Sequence, residues 1–288
     1  MRKKVLWGMV NYKCEAYIPT QLKMSYEFND EKDFDFIIVD NNPIFDEGYW
    51  KEIKKVYSNL VVIPHVPINV NRTSGEHGSG LDVILNYARE NNYEYLLVND
   101  PDFFWVQKNI LKYFLAEFST RDIVCIGAPY TIPLQHFDYN TPCAFGSIYT
   151  MKFLEGIKFS CDKDQHNVVI GGKDVGWEIR QKIALTNAKH LTFIQKDVPA
   201  SEFVGGSHQT GMNYSWQALL KEYFLWNKRI SYHLHRGSFS SHLNNYSKDN
   251  WRSDRSIDTE QAPELWTNTR RAYCAKYYEE IKNSKGMM

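Results

Sequence analysis

The chain has 288 residues, with 34 Lys and Arg balanced by 34 Asp and Glu, and 43% of it is apolar. This is enough for one large domain with an appendage and a sizeable core, and the neutral balance gives no field toward nucleic acid or an anionic membrane. The five cysteines, at 14, 125, 143, 161 and 274, show no CxxC or zinc-type spacing, no apolar run reaches membrane-span length, and the basic-then-apolar start is too short for a secretory signal. The expectation is therefore a soluble, cytoplasmic protein.

The first half alternates strand-like and helix-like segments. An apolar run, Val5 to Val10, ends at Asn11. The β-branched run Phe36-Ile37-Ile38-Val39 ends at Asp40, and Leu60-Val61-Val62-Ile63 ends at Pro64. Leu81, Ile84, Leu85 and Ala88 then recur at helical spacing and predict one buried helix face. Tyr95 to Asn99 is the next buried strand, ending at Asp100-Pro101-Asp102, and Ile123 to Ile126 follows. Such alternation predicts a parallel α/β sheet with right-handed crossovers. Asn11, Asp40 and Asp100 then converge on the carboxyl edge of that sheet, where open α/β sheets bind ligands.

The second half is less regular. Helical patterns are expected over Lys173 to Ala184, with Val175, Ile179 and Ile183 on one face, over Trp216 to Trp226, and over Pro263 to Lys282. Asp197 to Asn213 reads as loop. Aromatic residues make up 15% of the chain; they suit a carbohydrate surface and equally fill cores.

Asp100 and Asp102 carry the most chemistry. Two carboxylates one residue apart repel unless a cation lies between them, and hard oxygen ligands suit Mg²⁺ or Mn²⁺ bound to substrate phosphates. The same Asn-Asp-Pro-Asp run also satisfies a plain turn.

In order, strand-Asp, Gly-rich helix start and strand-DxD resemble the GT-A glycosyltransferases of family 2-like type, which use a nucleotide sugar and a divalent metal. Asn99-Asp100-Pro101-Asp102 is similar to their DxD motif, Phe36 to Asn42 to their strand ending in Asp, and His77-Gly78-Ser79-Gly80-Leu81-Asp82 to their Gly-rich segment. The resemblance implies a single GT-A, Rossmann-like, mostly parallel sheet flanked by helices over about residues 1–245. Its nucleotide-binding half would run to about 130 and its less regular acceptor side from 131, with a helical extension at 246–288. It implies that Asp40 and Asn11 bind the nucleotide base or ribose, with His77, Gly78, Asp100 and Ser238 also on the donor. Asp100, Asp102 and His235 would hold Mn²⁺ (or Mg²⁺). The donor would be a UDP-sugar and the acceptor a glycan or glycoconjugate hydroxyl.

Further residues in the second half fit that scheme. Asp174 and Glu178, four apart after Gly171-Gly172, are the candidates for the general base, with Asp174 first; Asp at that place also serves as a helix N-cap. In Ser231-Tyr232-His233-Leu234-His235-Arg236-Gly237-Ser238, an extended chain puts His233 and His235 on one face. The turn after His235 favours it as the metal ligand. Two other functions use the same features: a sugar nucleotidyltransferase or other metal-dependent phosphoryl enzyme, and a non-catalytic carbohydrate-binding protein. The first normally needs a Gly-rich loop after the first strand, where this chain reads Asn11-Tyr12-Lys13-Cys14-Glu15.

Overall fold

A computed structural model describes residues 4–67 apart from 13 and 16, then 74–129, 141–160, 175–198 and 220–233. The chain forms two compact units. The first holds the strands β1 (Val5–Asn11), β2 (Phe34–Asp40), β3 (Val61–Pro64), β4 (Tyr95–Asn99), β6 (Cys125–Pro129), β7 (Pro142–Thr150) and β8 (His190–Thr192). They form one seven-stranded sheet in the order β3-β2-β1-β4-β7-β6-β8. β1 pairs parallel with β2 and β4, β2 with β3, and β6 with β8, while β7 runs antiparallel between β4 and β6. The expected mostly parallel α/β sheet is thus present, with one reversed strand inserted.

Strand order reverses at β1: the chain moves outward through β2 and β3, then returns to place β4 on the other side of β1. Connections leave the two neighbours in opposite directions, which opens a crevice at their carboxyl ends. β1 is buried along its whole length. Its Leu6 and Val10 join Ile37, Val39, Leu96 and Val98 in one core with Leu81, Ile84, Leu85 and Ala88. Those last four lie on helix α3 (Ser74–Glu90) and are 0–1% exposed, as their spacing predicted. Strand alternation turns Trp7 to the opposite face from Leu6, where its ring packs against Phe34 and Phe36 at 5.3 and 5.4 Å. Helices α2 (Glu47–Val56), α4 (Ile110–Arg121) and α5 (Trp177–Thr186) complete this unit.

The second unit contains helix α1 (Ile18–Phe28) and the strands β5 (Phe103–Trp105), β9 (Ile194–Val198), β10 (Leu220–Leu225) and β11 (Lys228–His233). These strands form a four-stranded sheet in the order β5-β11-β10-β9. β10 and β11 make an antiparallel hairpin joined by Trp226 and Asn227, both with positive φ (50° and 61°). Two positive-φ residues are what a tight hairpin turn demands. Among the described residues no helix is long and apolar enough to cross a membrane.

Several local expectations change. Residues 220–225, expected as helix, are a strand: a short apolar run has no decisive period, and pairing with β11 settles it. Asp197 and Val198, expected as loop, close β9. The Gly-rich segment, expected to open its helix, lies in the first turns of α3, which begins at Ser74. Helix α5 begins at Trp177, after Gly176 in the left-handed region (φ 74°); residues 173 and 174 of the expected helix lie outside the described residues. The stretches 199–213 and 263–282 lie outside the described residues.

Candidate functional site

At the carboxyl edge of the large sheet, parallel register sets Asn11 beside Asp40. The Asn11 amide donates to Asp40 Oδ1 at 3.0 Å, the Asn42 backbone N–H to the same oxygen at 3.2 Å, and Trp50 Nε1 to Oδ2 at 2.6 Å. Asp40 is 1% exposed and Asn11 fully buried. A buried carboxylate costs much unless it is hydrogen-bonded, and three donors meet that cost here. Trp50 is the buried residue of α2, so the Asp40 carboxylate also fastens that helix to the sheet edge.

At the end of β4, Trp7 Nε1 donates to Asn99 Oδ1, and Asn99 Nδ2 donates to the Asp100 carbonyl at 2.8 Å. The Asp100 N–H donates to the Phe145 carbonyl of β7 at 3.0 Å. Asn99, the residue ahead of the DxD-like pair, is therefore a buried clamp that fixes where Asp100 leaves the sheet. Its signal in the sequence is an amide at the end of an apolar strand. The Asp100 carboxylate faces His77 of α3, with Oδ1 3.3 Å from Nε2.

Pro101 ends β4 as a ladder strand, and the chain resumes as β5 in the small sheet. There Phe103 stands opposite His233 of β11. This register brings His233 Nε2 within 3.3 Å of Asp102 Oδ1. Gln21 of α1 donates to the Phe103 carbonyl and anchors the same strand. Asp102 is 1% and His233 4% exposed. Asp100, Asp102 and His233 together offer one ligand atom each within 4.8 Å of one another, a group able to hold a metal ion. Two carboxylates and an imidazole make a mixed oxygen–nitrogen donor set. That composition fits Mn²⁺ better than Mg²⁺, which prefers oxygen throughout. His235, the ligand favoured by the sequence, lies outside the described residues, as do Asp174 and Ser238.

The remaining expected site residues are placed as follows. Gly78 lies on the inner side of α3, where an added Cβ would come 2.8 Å from Ser160 Cα and 3.2 Å from the Phe159 oxygen. Glu178, in the first turn of α5, accepts the Lys158 backbone N–H at 2.7 Å. Asp82, at the end of the Gly-rich segment, accepts the Phe159 N–H at 2.6 Å, the Ser160 N–H at 3.2 Å and the Ser160 hydroxyl. Lys158 to Ser160 is thus held by two carboxylates from two helices. Neither role was visible in the sequence, because the partners are about 20 and 77 residues away along the chain.

No protein-family model matches the chain, and no curated protein does. Solved structures are similar. Residues 1–349 of S. aureus TarS in complex with UDP share 19% identity over 56% of this chain and 51% of that one, with a TM-score of 0.42. This chain thus spans about half the length of that structure. A second structure of TarS 1–349 shares 15% identity over 98% of this chain and 90% of that one, at TM-score 0.49. The mannosyltransferase PcManGT from Pyrobaculum calidifontis, in complex with GDP-Man and Mn²⁺, shares 12% identity over 100% of this chain and 77% of that one, at 0.48. At these identities and scores the functional reading rests on the chain's own residues.

Proposed function

We propose that the protein is a metal-dependent glycosyltransferase of GT-A type that moves a sugar from a nucleoside-diphosphate sugar, a UDP-sugar in the first instance, to a hydroxyl of a glycan or glycoconjugate. The observation that carries this reading is the buried Asp102–His233 pair, two residues beyond Asp100 at the carboxyl end of a strand beside the reversal of strand order. A structural turn needs neither the burial nor the imidazole.

In this reading Asp102 and His233 hold Mn²⁺, with Asp100 beside them, and the cation supplies positive charge where the nucleoside diphosphate departs. His77 holds the Asp100 carboxylate from the other side. Asn99, clamped to Trp7, fixes the backbone that carries both acids. Asn11 and Asp40 form the nucleotide-side wall, Asp40 contributing through the Asn11 amide that it orients. Transfer breaks the bond from the sugar C1 to the diphosphate oxygen, which leaves with the electron pair. A bond forms from C1 to the acceptor oxygen, whose proton passes to a carboxylate. Asp174 remains the first choice for that base in an inverting reaction. Glu178 is second, because its carboxylate already accepts the Lys158 N–H. Neutral net charge and unspaced cysteines favour a cytoplasmic, non-nucleic-acid setting.

The test is turnover of UDP- and GDP-sugars with and without Mn²⁺. Metal-dependent hydrolysis or transfer supports the reading. Nucleotide-sugar synthesis from a sugar phosphate would make the protein a nucleotidyltransferase. Glycan binding with no nucleotide or metal dependence would make it a binding protein.

A further inference from the structure

His65 follows β3 at the carboxyl edge of the large sheet and has no part in the site as described so far. Its backbone N–H donates to the Asp40 carbonyl at 2.8 Å, which continues the β2–β3 pairing one residue past Pro64. The half-buried ring meets α3, with Nε2 3.1 Å from Ser79 Oγ. The Ser79 hydroxyl already gives its hydrogen to the Glu76 carbonyl at 3.0 Å. A hydroxyl has only one hydrogen, so Ser79 Oγ accepts from His65 and Nε2 carries the ring proton. The Glu76 carbonyl also accepts the Asn41 amide at 2.8 Å, which ties this ledge to the residue after Asp40. Burial lowers the His65 pKa and keeps the imidazole neutral near pH 7. A neutral imidazole with its proton on Nε2 presents Nδ1 as an acceptor. Among the described residues no donor meets Nδ1.

The neighbouring strand end has no such acceptor to offer. The buried Asp40 carboxylate takes the Asn11 amide, the Asn42 N–H and Trp50 Nε1. Along the sheet edge the order is β3-β2-β1-β4. His65 and Asp100 therefore stand three strand spacings apart, about 14 Å. A nucleotide with its diphosphate at Asp100, laid along the edge past Asn11 and Asp40, brings the far edge of its base to β3.

We propose that His65 is a base-reading residue of the donor site, its Nδ1 accepting the ring N–H of uracil. This rests on the glycosyltransferase reading above. Uracil presents that N–H between two carbonyls, so an acceptor without a hydrogen meets it. Cytosine has a bare nitrogen at the same ring position, and two acceptors face to face repel. Ser79 sets the tautomer through its bond to Glu76, and the tautomer sets which base is accepted. Selectivity then comes as much from what the ring nitrogen rejects as from what it binds.

The experiment is calorimetry with Mn²⁺ on the full-length wild type, His65→Gln and His65→Ala. The ligands are UDP, CDP and UDP methylated at the ring N–H. His65→Gln keeps an amide within reach of Ser79 and has no acceptor at the Nδ1 position. The wild type should bind UDP about tenfold more tightly than either of the others, the worth of one hydrogen bond made or left unmade. In both variants UDP should weaken by about 3- to 10-fold and the three ligands come within about threefold of one another. A purely structural histidine would weaken all three in parallel and leave their ratios as in the wild type. That outcome overturns the proposal, as does a wild type that does not separate UDP from its methylated form. A wild type that binds GDP and not UDP removes His65 as a uracil reader and leaves the glycosyltransferase reading standing. A wild type that binds no nucleoside diphosphate removes both. Should the His65 variants fail to fold by circular dichroism, Ser79→Ala carries the test. It frees the ring to take the other tautomer, so CDP should gain on UDP by about threefold or more. An unchanged ratio overturns the proposal.

Discussion

Gly78→Ala separates two explanations of the glycines in α3. If they let the backbone approach a phosphate, alanine harms ligand binding; if they let the helix pack, alanine harms stability. The added methyl would meet Ser160 Cα at 2.8 Å and the Phe159 oxygen and Ser160 nitrogen at 3.2 Å, all of them backbone atoms. These cannot move aside cheaply, because Asp82 accepts both the Phe159 and Ser160 N–H groups. Overpacking of this kind costs about 1–3 kcal/mol, and the pinned backbone puts Gly78 at about 3. Replacing glycine in a helix interior returns about 1 kcal/mol. The net loss is about 2 kcal/mol, or a Tm lower by about 4–8 °C for a chain of this size. Thermal unfolding followed by circular dichroism reads the stability, and calorimetry with UDP and Mn²⁺ reads the ligand. The packing account expects a lower Tm with UDP affinity unchanged. A variant that melts at or above the wild-type temperature yet loses UDP would refute it and return Gly78 to the donor site.

Five further substitutions test other parts of the site. Asp102→Ala and His233→Ala should each weaken Mn²⁺ binding at least about tenfold by titration, and full retention in either would take that residue out of the metal group. Trp50→Phe removes the donor at 2.6 Å from the buried Asp40 carboxylate and should cost about 1–3 kcal/mol in urea unfolding; no change would mean that Asn11 and Asn42 suffice. Asp174→Ala should abolish transfer while sparing UDP binding, and Glu178→Gln should keep transfer, because a carboxamide oxygen can still accept the Lys158 N–H; the reverse pattern would make Glu178 the base.

The large sheet was legible because its strands are continuous apolar runs closed by polar residues, and because the stripe from Leu81 to Ala88 has one period only. The small sheet was not. β5 is three residues long and starts immediately after a turn, while β10 mixes Lys and Glu with aromatics and is defined by its partner. Local propensity is weak in such strands, and cross-strand contacts decide them. The left-handed backbone at Trp226, which makes the hairpin turn, has no cue in a residue type that rarely adopts it.

The site divides along the same line. Asn11, Asp40 and Asp100 could be placed on one edge because each ends a strand whose direction was predictable. The spacing of Asp100 and Asp102 pointed to a cation between them, but the imidazole that meets Asp102 could not be chosen from the sequence. Alternation put His233 and His235 on one face and left the choice between them to the flanking turn. The pairing of Phe103 with His233 brings His233 to Asp102 because β5 begins one residue after that aspartate. The turn formed by Asp100-Pro101-Asp102 and the metal group are therefore not competing readings of one stretch of chain. Pro101 ends the ladder of one sheet, and the residue after it opens toward a strand of another. That turn sets Asp102 one residue ahead of β5, where the pairing of Phe103 with His233 holds it against the imidazole.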